Sequence, residues 1–141
     1  MTPWAYLRLA IVAASFVGGA FGASRLSDQG VPTFQSLLFI FAGGIFGMLF
    51  VIGIQRMNPR SAAAWRYPSW LVNPFTMREP LQFFHLGGYF FLASGVGSLL
   101  RWYFVRTTPL FEPLLFTAWG CGVLIGVRLC TIVFRGKMAG A

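Results

Sequence analysis

Apolar runs of about twenty residues alternate along this chain with short polar breaks, and that pattern predicts membrane-spanning helices. The first run covers about 4–24, with Trp4 and Tyr6 suited to an interfacial belt and Arg8 within snorkelling reach of the same surface. Ser24, Arg25, Asp28, Gln29, Gly30 and Pro32 break it. The second run covers about 33–54, the third about 80–104 and the fourth about 111–134. Pro80 suits a first helical position, where its missing amide hydrogen has no intrahelical role. The breaks after the first and third runs are short, so tight helical hairpins are expected there. The predicted fold class is an all-α integral membrane protein: one domain over 1–141, a four-transmembrane-helix bundle made of two helical hairpins.

Between the second and third runs lies a longer polar stretch, 55–80, which reads QRMNPRSAAAWRYPSWLVNPFTMREP. Prolines at 59, 68 and 74 interrupt regular helix, and Ser61 could cap a short helical piece presenting Trp65, Trp70, Leu71 and Val72. Arginines 56, 60, 66 and 78 interleaved with tryptophans are what a segment in the headgroup layer needs, so Arg56, Arg60, Trp65, Arg66, Trp70 and Arg78 are expected to hug the membrane surface. Basic residues then set the orientation. Arg8, Arg56, Arg60, Arg66, Arg78, Arg135 and Lys137 fall on one side, against Arg25, Arg101 and Arg106 on the other. The richer side is cytoplasmic, which places both termini and the 55–80 segment in the cytoplasm of a bacterial inner membrane.

Composition agrees. The chain has 141 residues, 57% hydrophobic and 10% charged, too little charge to cover a water-soluble fold. Its formal charge of +8 would suggest nucleic acid in a soluble domain. Here the basic residues sit at the ends of apolar runs and in loops, which makes anionic lipid headgroups the expected partner and excludes nucleic acid. An apolar start followed by small residues around Ala20-Phe21-Gly22 also has the look of a secretory signal, but it is taken as a retained first span. Cys121 and Cys130, nine residues apart on one helix, would hold their sulfurs ~13 Å apart, too far for a disulfide or a shared metal.

Small residues recur at spacings of four: Ala10, Ala14, Gly18 and Gly22 in the first run, Gly43 and Gly47 in the second, Ala118, Gly122, Gly126 and Cys130 in the fourth. Such stripes let helix backbones approach closely where lipid supplies no hydrophobic driving force, either within the bundle or against a partner subunit or second copy. At ~100° per residue, Arg8 and Arg128 each project roughly opposite the stripe of their own helix. If a stripe faces the bundle its arginine faces lipid or a partner; if the arginine faces the bundle the stripe is left outside. There is also an internal echo: Phe16-Val17-Gly18-Gly19-Ala20-Phe21-Gly22 recurs as Phe41-Ala42-Gly43-Gly44-Ile45-Phe46-Gly47, read here as close-packing chemistry on antiparallel spans.

Groups able to do chemistry are few: one histidine, His85, and three acids, Asp28, Glu79 and Glu112. No nucleophile triad, zinc set or phosphate loop is present, so no catalytic residue, metal or cofactor is expected. Asp28 and Glu112 are expected to pair with the outer arginines Arg25, Arg101 or Arg106, while Glu79 offsets Arg78 at a helix start. His85, close to Glu79, is the candidate polar site. A hydrogen-bonded structural role is weighed there against haem, quinone or headgroup binding. The stretch Gly18-Gly19-Ala20-Phe21-Gly22-Ala23-Ser24-Arg25 resembles the first-helix signature of the small four-helix fluoride-channel family, whose members assemble as dimers. The likeness covers eight residues; the second span lacks that family's pore asparagine and the 55–80 connection is longer than theirs. The expected function is a non-enzymatic small subunit or assembly factor of a membrane complex. A homo-oligomeric channel or transporter for an anion or other small solute is the alternative.

Overall fold

The structure, a computed structural model, describes residues 2–21, 33–57, 67–75, 80–105 and 110–138. These form four α-helices and no strand: α1 (Pro3–Phe21), α2 (Phe34–Met57), α3 (Pro80–Phe104) and α4 (Phe111–Met138). All four are long and apolar enough to cross a membrane, the architecture of a multi-pass membrane protein. Local chemistry sets two of the starts. Thr33 caps α2, its Oγ1 accepting from the Ser36 amide at 3.2 Å, and Pro80 opens α3.

The helices stand in the order α1–α3–α4–α2. α3 packs on α4, α1 on α3 and α2 on α4, and no comparable interface joins α1 to α2. The expected pairing of the first two spans as a packed hairpin is therefore not the arrangement found. Glycines explain the difference. A Cβ on Gly97 would run into the backbone carbonyl of Phe16, and one on Gly19 into that of Ser94, so α1 and α3 touch backbone to backbone. A Cβ on Gly122 would likewise strike the Phe41 carbonyl, and one on Gly44 would stand 2.9 Å from the Val123 amide nitrogen. Between α3 and α4, a Cβ on Gly120 would lie 2.5 Å from the Leu92 nitrogen.

These contacts also fix direction. Residue numbers rise together across α1/α3 (Arg8 against Gln82, Gly19 against Ser98) and across α2/α4 (Gly43 against Trp119, Met48 against Gly126), so each pair is parallel; across α3/α4 they run oppositely (Gly88 against Leu124, Gly95 against Thr117). The internal echo lies where the outer helices dock. Phe16 and Phe41 offer equivalent carbonyls to Gly97 and Gly122, and Gly19 and Gly44 are the equivalent notches. A buried apolar cluster of Met48, Ile52, Leu81, Val123, Val127 and Cys130 joins α2, α3 and α4 at the end that also holds Arg8. Residues 67–75 cross that end as a series of turns, with Asn73 Oδ1 accepting from the Phe75 amide at 2.9 Å.

Candidate functional site

Two places gather polar groups. The first is at the Arg8 end. Arg8 is 0% exposed, sealed inside the chain instead of snorkelling to a surface. Its Nε and Nη2 donate to the Val72 carbonyl at 3.2 and 3.1 Å, and Nη2 also donates to Gln82 Oε1. Nη1 reaches His85 Nδ1 at 3.4 Å, at the long end of a hydrogen bond. The guanidinium lies 5.9 Å from the centre of the Trp70 ring. A guanidinium only donates, so Nδ1 must accept and the His85 proton sits on Nε2. That Nε2–H is enclosed and has no hydrogen-bond partner. Three rings pack nearly perpendicular to the His85 ring, with centroids 5.0 Å from its own for Tyr89, 5.6 Å for Tyr67 and 5.8 Å for Trp70.

This cluster is a clasp. α1 supplies the cation, α3 supplies Gln82, His85 and Tyr89, and the turn segment supplies a carbonyl and Trp70. Thr2 Oγ1 adds a bond to the Leu71 carbonyl at 3.0 Å. Trp70, expected in the headgroup layer, is half-buried on His85 and Tyr89. His85 holds its structural place through Arg8. Among the described residues no group of three or more His, Cys, Asp or Glu could hold a metal.

The second place is the gap between α1 and α2, floored by α3 and α4. A cavity of ≈ 660 Å³ opens there, lined by Ile11, Met48, Phe84, Phe90, Phe91 and Trp119 among others, with no charged residue on its wall. Gly47 and Gly87 also border it, and a Cβ on either would meet nothing within 4 Å. A second cavity of ≈ 460 Å³ shares Ile11 and Phe90 with the first and carries Ser15, Ser94, Ser98 and Glu112. Two of these serines are spoken for: Ser15 Oγ donates to the Ile11 carbonyl at 2.6 Å and Ser98 Oγ to the Gly19 carbonyl at 2.9 Å. Glu112 Oε2 is enclosed with no hydrogen-bond partner, and Arg25 and Arg106, two of the arginines expected to pair with this acid, lie outside the described residues.

The sequence-derived site residues divide. Gly122 and Gly126 are buried packing residues as the α4 stripe suggested, and Gly43 and Ala118 are half-buried. Ala14, Gly18 and Gly47 are exposed, and the first two line the second cavity. The packing residue of α1 is Gly19, one position on. Arg128 is exposed and lies over the Tyr67 ring at 5.0 Å. Arg56 falls in the last turn of α2. Gly22, Arg60, Trp65, Arg66, Arg78 and Glu79 lie outside the described residues.

Sequence reasoning passed over Gln82, Tyr67, Tyr89 and the Val72 carbonyl in the clasp, and the place of Glu112 on the wall of the second cavity. A signal for the first was present. Ala5, Arg8, Ser15 and Gly19 recur at helical spacing on one face, a polar and small track that points inward. No protein-family model matches this chain, and neither a curated protein nor a solved structure does.

Proposed function

We propose that this protein is a non-enzymatic, multi-pass subunit or assembly factor of a bacterial inner-membrane complex, acting by contact within the bilayer. The observation that carries this reading is the outer position of two helices: among the described helices α1 has its interface on α3 and α2 its interface on α4. Ala10, Ala14 and Gly18 of α1 stand exposed, a surface on which another backbone can settle closely. A polytopic partner or a second copy is the matching occupant, with anionic headgroups against the basic end. Both termini and the 55–80 segment are cytoplasmic in this reading, on the basic-residue count.

Purification in mild detergent, followed by mass determination of the intact particle, tests the proposal. The expected result is a particle heavier than one chain that falls to one chain in Ala10→Trp. A single chain of 15.6 kDa from the outset would end it. Whole-cell labelling of cysteines introduced at Arg60 and Lys137 tests the topology, with protection until the inner membrane is opened as the expected outcome.

The transporter alternative has one observation in its favour. The α1/α3 and α2/α4 pairs repeat one docking contact in inverted orientation around a central gap, as inverted-repeat transporters do. An anion is the solute least suited to that gap, since among the described residues its one charged wall residue is the acid Glu112. Solute flux by the purified protein in proteoliposomes would replace the subunit reading with this one.

A further inference from the structure

We infer that the α1–α2 gap is a binding site for a membrane amphiphile with an ammonium head and an apolar chain, the chemistry of an amine-headed phospholipid. The inference is tested apart from the subunit reading: the trough shares Ala14 and Gly18 with the α1 surface offered to a partner, but its readout is lipid head preference and not particle mass.

Three observations converge. The two cavities share Ile11 and Phe90, so they form one trough running from Glu112 at the start of α4 toward Phe75 beyond the end of α2. Polarity is graded along it: Glu112, Ser94 and Ser98 at one end, then aromatic and aliphatic walls without a charge. Glu112 begins α4, so the polar end lies at a membrane face and the apolar part lies along the bilayer normal, as a lipid's own head and chain do. Glu112 Oε2 is the enclosed acceptor without a donor, and an ammonium would supply a charge-assisted hydrogen bond there.

Size decides against a helix as the occupant. A spanning helix ~10 Å wide and ~30 Å long fills more than 2,000 Å³. The larger cavity is ≈ 660 Å³, inside the ~300–1,000 Å³ of small-molecule sites. Charge selects the head: among the described lining residues the one charge is the acid Glu112, which repels a phosphate-only head and attracts an amine.

Trp119 lines the larger cavity and reports on a chain placed there. Full-length protein in vesicles would be compared with its Trp119→Phe variant, so that the difference isolates Trp119 emission. One vesicle set carries brominated-chain phosphatidylethanolamine and the other brominated-chain phosphatidylglycerol, each diluted in unbrominated phosphatidylglycerol. Phosphatidylethanolamine is expected to quench Trp119 at least about threefold more effectively at equal mole fraction. Glu112→Gln should remove that preference while the helical circular dichroism is unchanged. If Glu112→Gln fails to fold, Gly87→Leu is the second test: its side chain enters open space in the trough and should lower quenching by both lipids. Equal quenching by the two lipids in the unmodified protein would mean annular lipid only and would overturn the inference. A head preference that survives Glu112→Gln would overturn it too.

Discussion

Arg8 and Arg128 carry the same charge on comparable helices and end in opposite surroundings. Arg8 is withdrawn from water and lipid alike, an arrangement that persists because the Val72 carbonyl, Gln82 and His85 accept its donors. Removing it takes this donor from the Val72 carbonyl, Gln82 Oε1 and His85 Nδ1 at once. Arg8→Leu is therefore expected to destabilise the protein by about 3 kcal/mol, the scale of a charged hydrogen bond plus stranded polar groups. Arg8→Lys should recover only part of this, since an ammonium cannot reproduce the fork that holds Val72 and Gln82 together. Arg128→Leu removes a ring contact on an exposed side chain, worth about 0.5–1 kcal/mol. Unfolding in detergent micelles measures all three, and an Arg8→Leu protein as stable as Arg128→Leu would refute the clasp. Spacing alone stated the choice, arginine inside or stripe inside, but not which branch each helix takes. α1 takes the first and α4 the second, because only α1 has Gln82, His85 and the Val72 carbonyl within reach.

At the scale of the helix, small residues divide into those that let backbones meet and those that border open space. Gly120 is of the first kind: a methyl there would press on the Leu92 backbone and force α3 from α4. Gly120→Ala is expected to cost about 1–3 kcal/mol, the range of overpacking in a close-fitted core. Gly18 and Gly47 are of the second kind. Alanine at either should leave stability unchanged or raise it by up to about 1 kcal/mol through helix propensity. Thermal unfolding of the three variants separates the classes, and a loss in Gly18→Ala equal to that in Gly120→Ala would show the α1 register to be wrong. The four-residue stripes fall in α1, α2 and α4 and not in α3; that of α4 holds the packing glycines Gly122 and Gly126, while in α2 the close contact falls on Gly44, between Gly43 and Gly47. In α1 they chose the wrong face, because two adjacent glycines, Gly18 and Gly19, satisfy the pattern equally and only the packed partner distinguishes them.

For the whole molecule, the order α1–α3–α4–α2 predicts which positions can be joined. A Cβ at 126 would sit 2.8 Å from Met48 Cβ, close enough for a small adjustment to reach disulfide geometry. Met48→Cys with Gly126→Cys, in a chain whose Cys121 and Cys130 are serines, is expected to cross-link readily under mild oxidation. Ala14→Cys with Gly47→Cys, across the gap, should not, and efficient linkage of that pair would restore the α1/α2 hairpin. The sequence by itself determined that four apolar stretches become helices, since each is long enough to span a bilayer and satisfies its own backbone hydrogen bonds. It also determined that glycine would mediate their contacts, and the echo at Phe16 and Phe41 marked two equivalent docking points. Which helix each docks against was settled only in three dimensions, because lipid is as apolar as the side chains and burial gives no preference among neighbours. Shape complementarity and the long-range bonds from Arg8 to Val72 and Gln82 made that selection, and with it the gap that leaves Glu112 Oε2 without a donor.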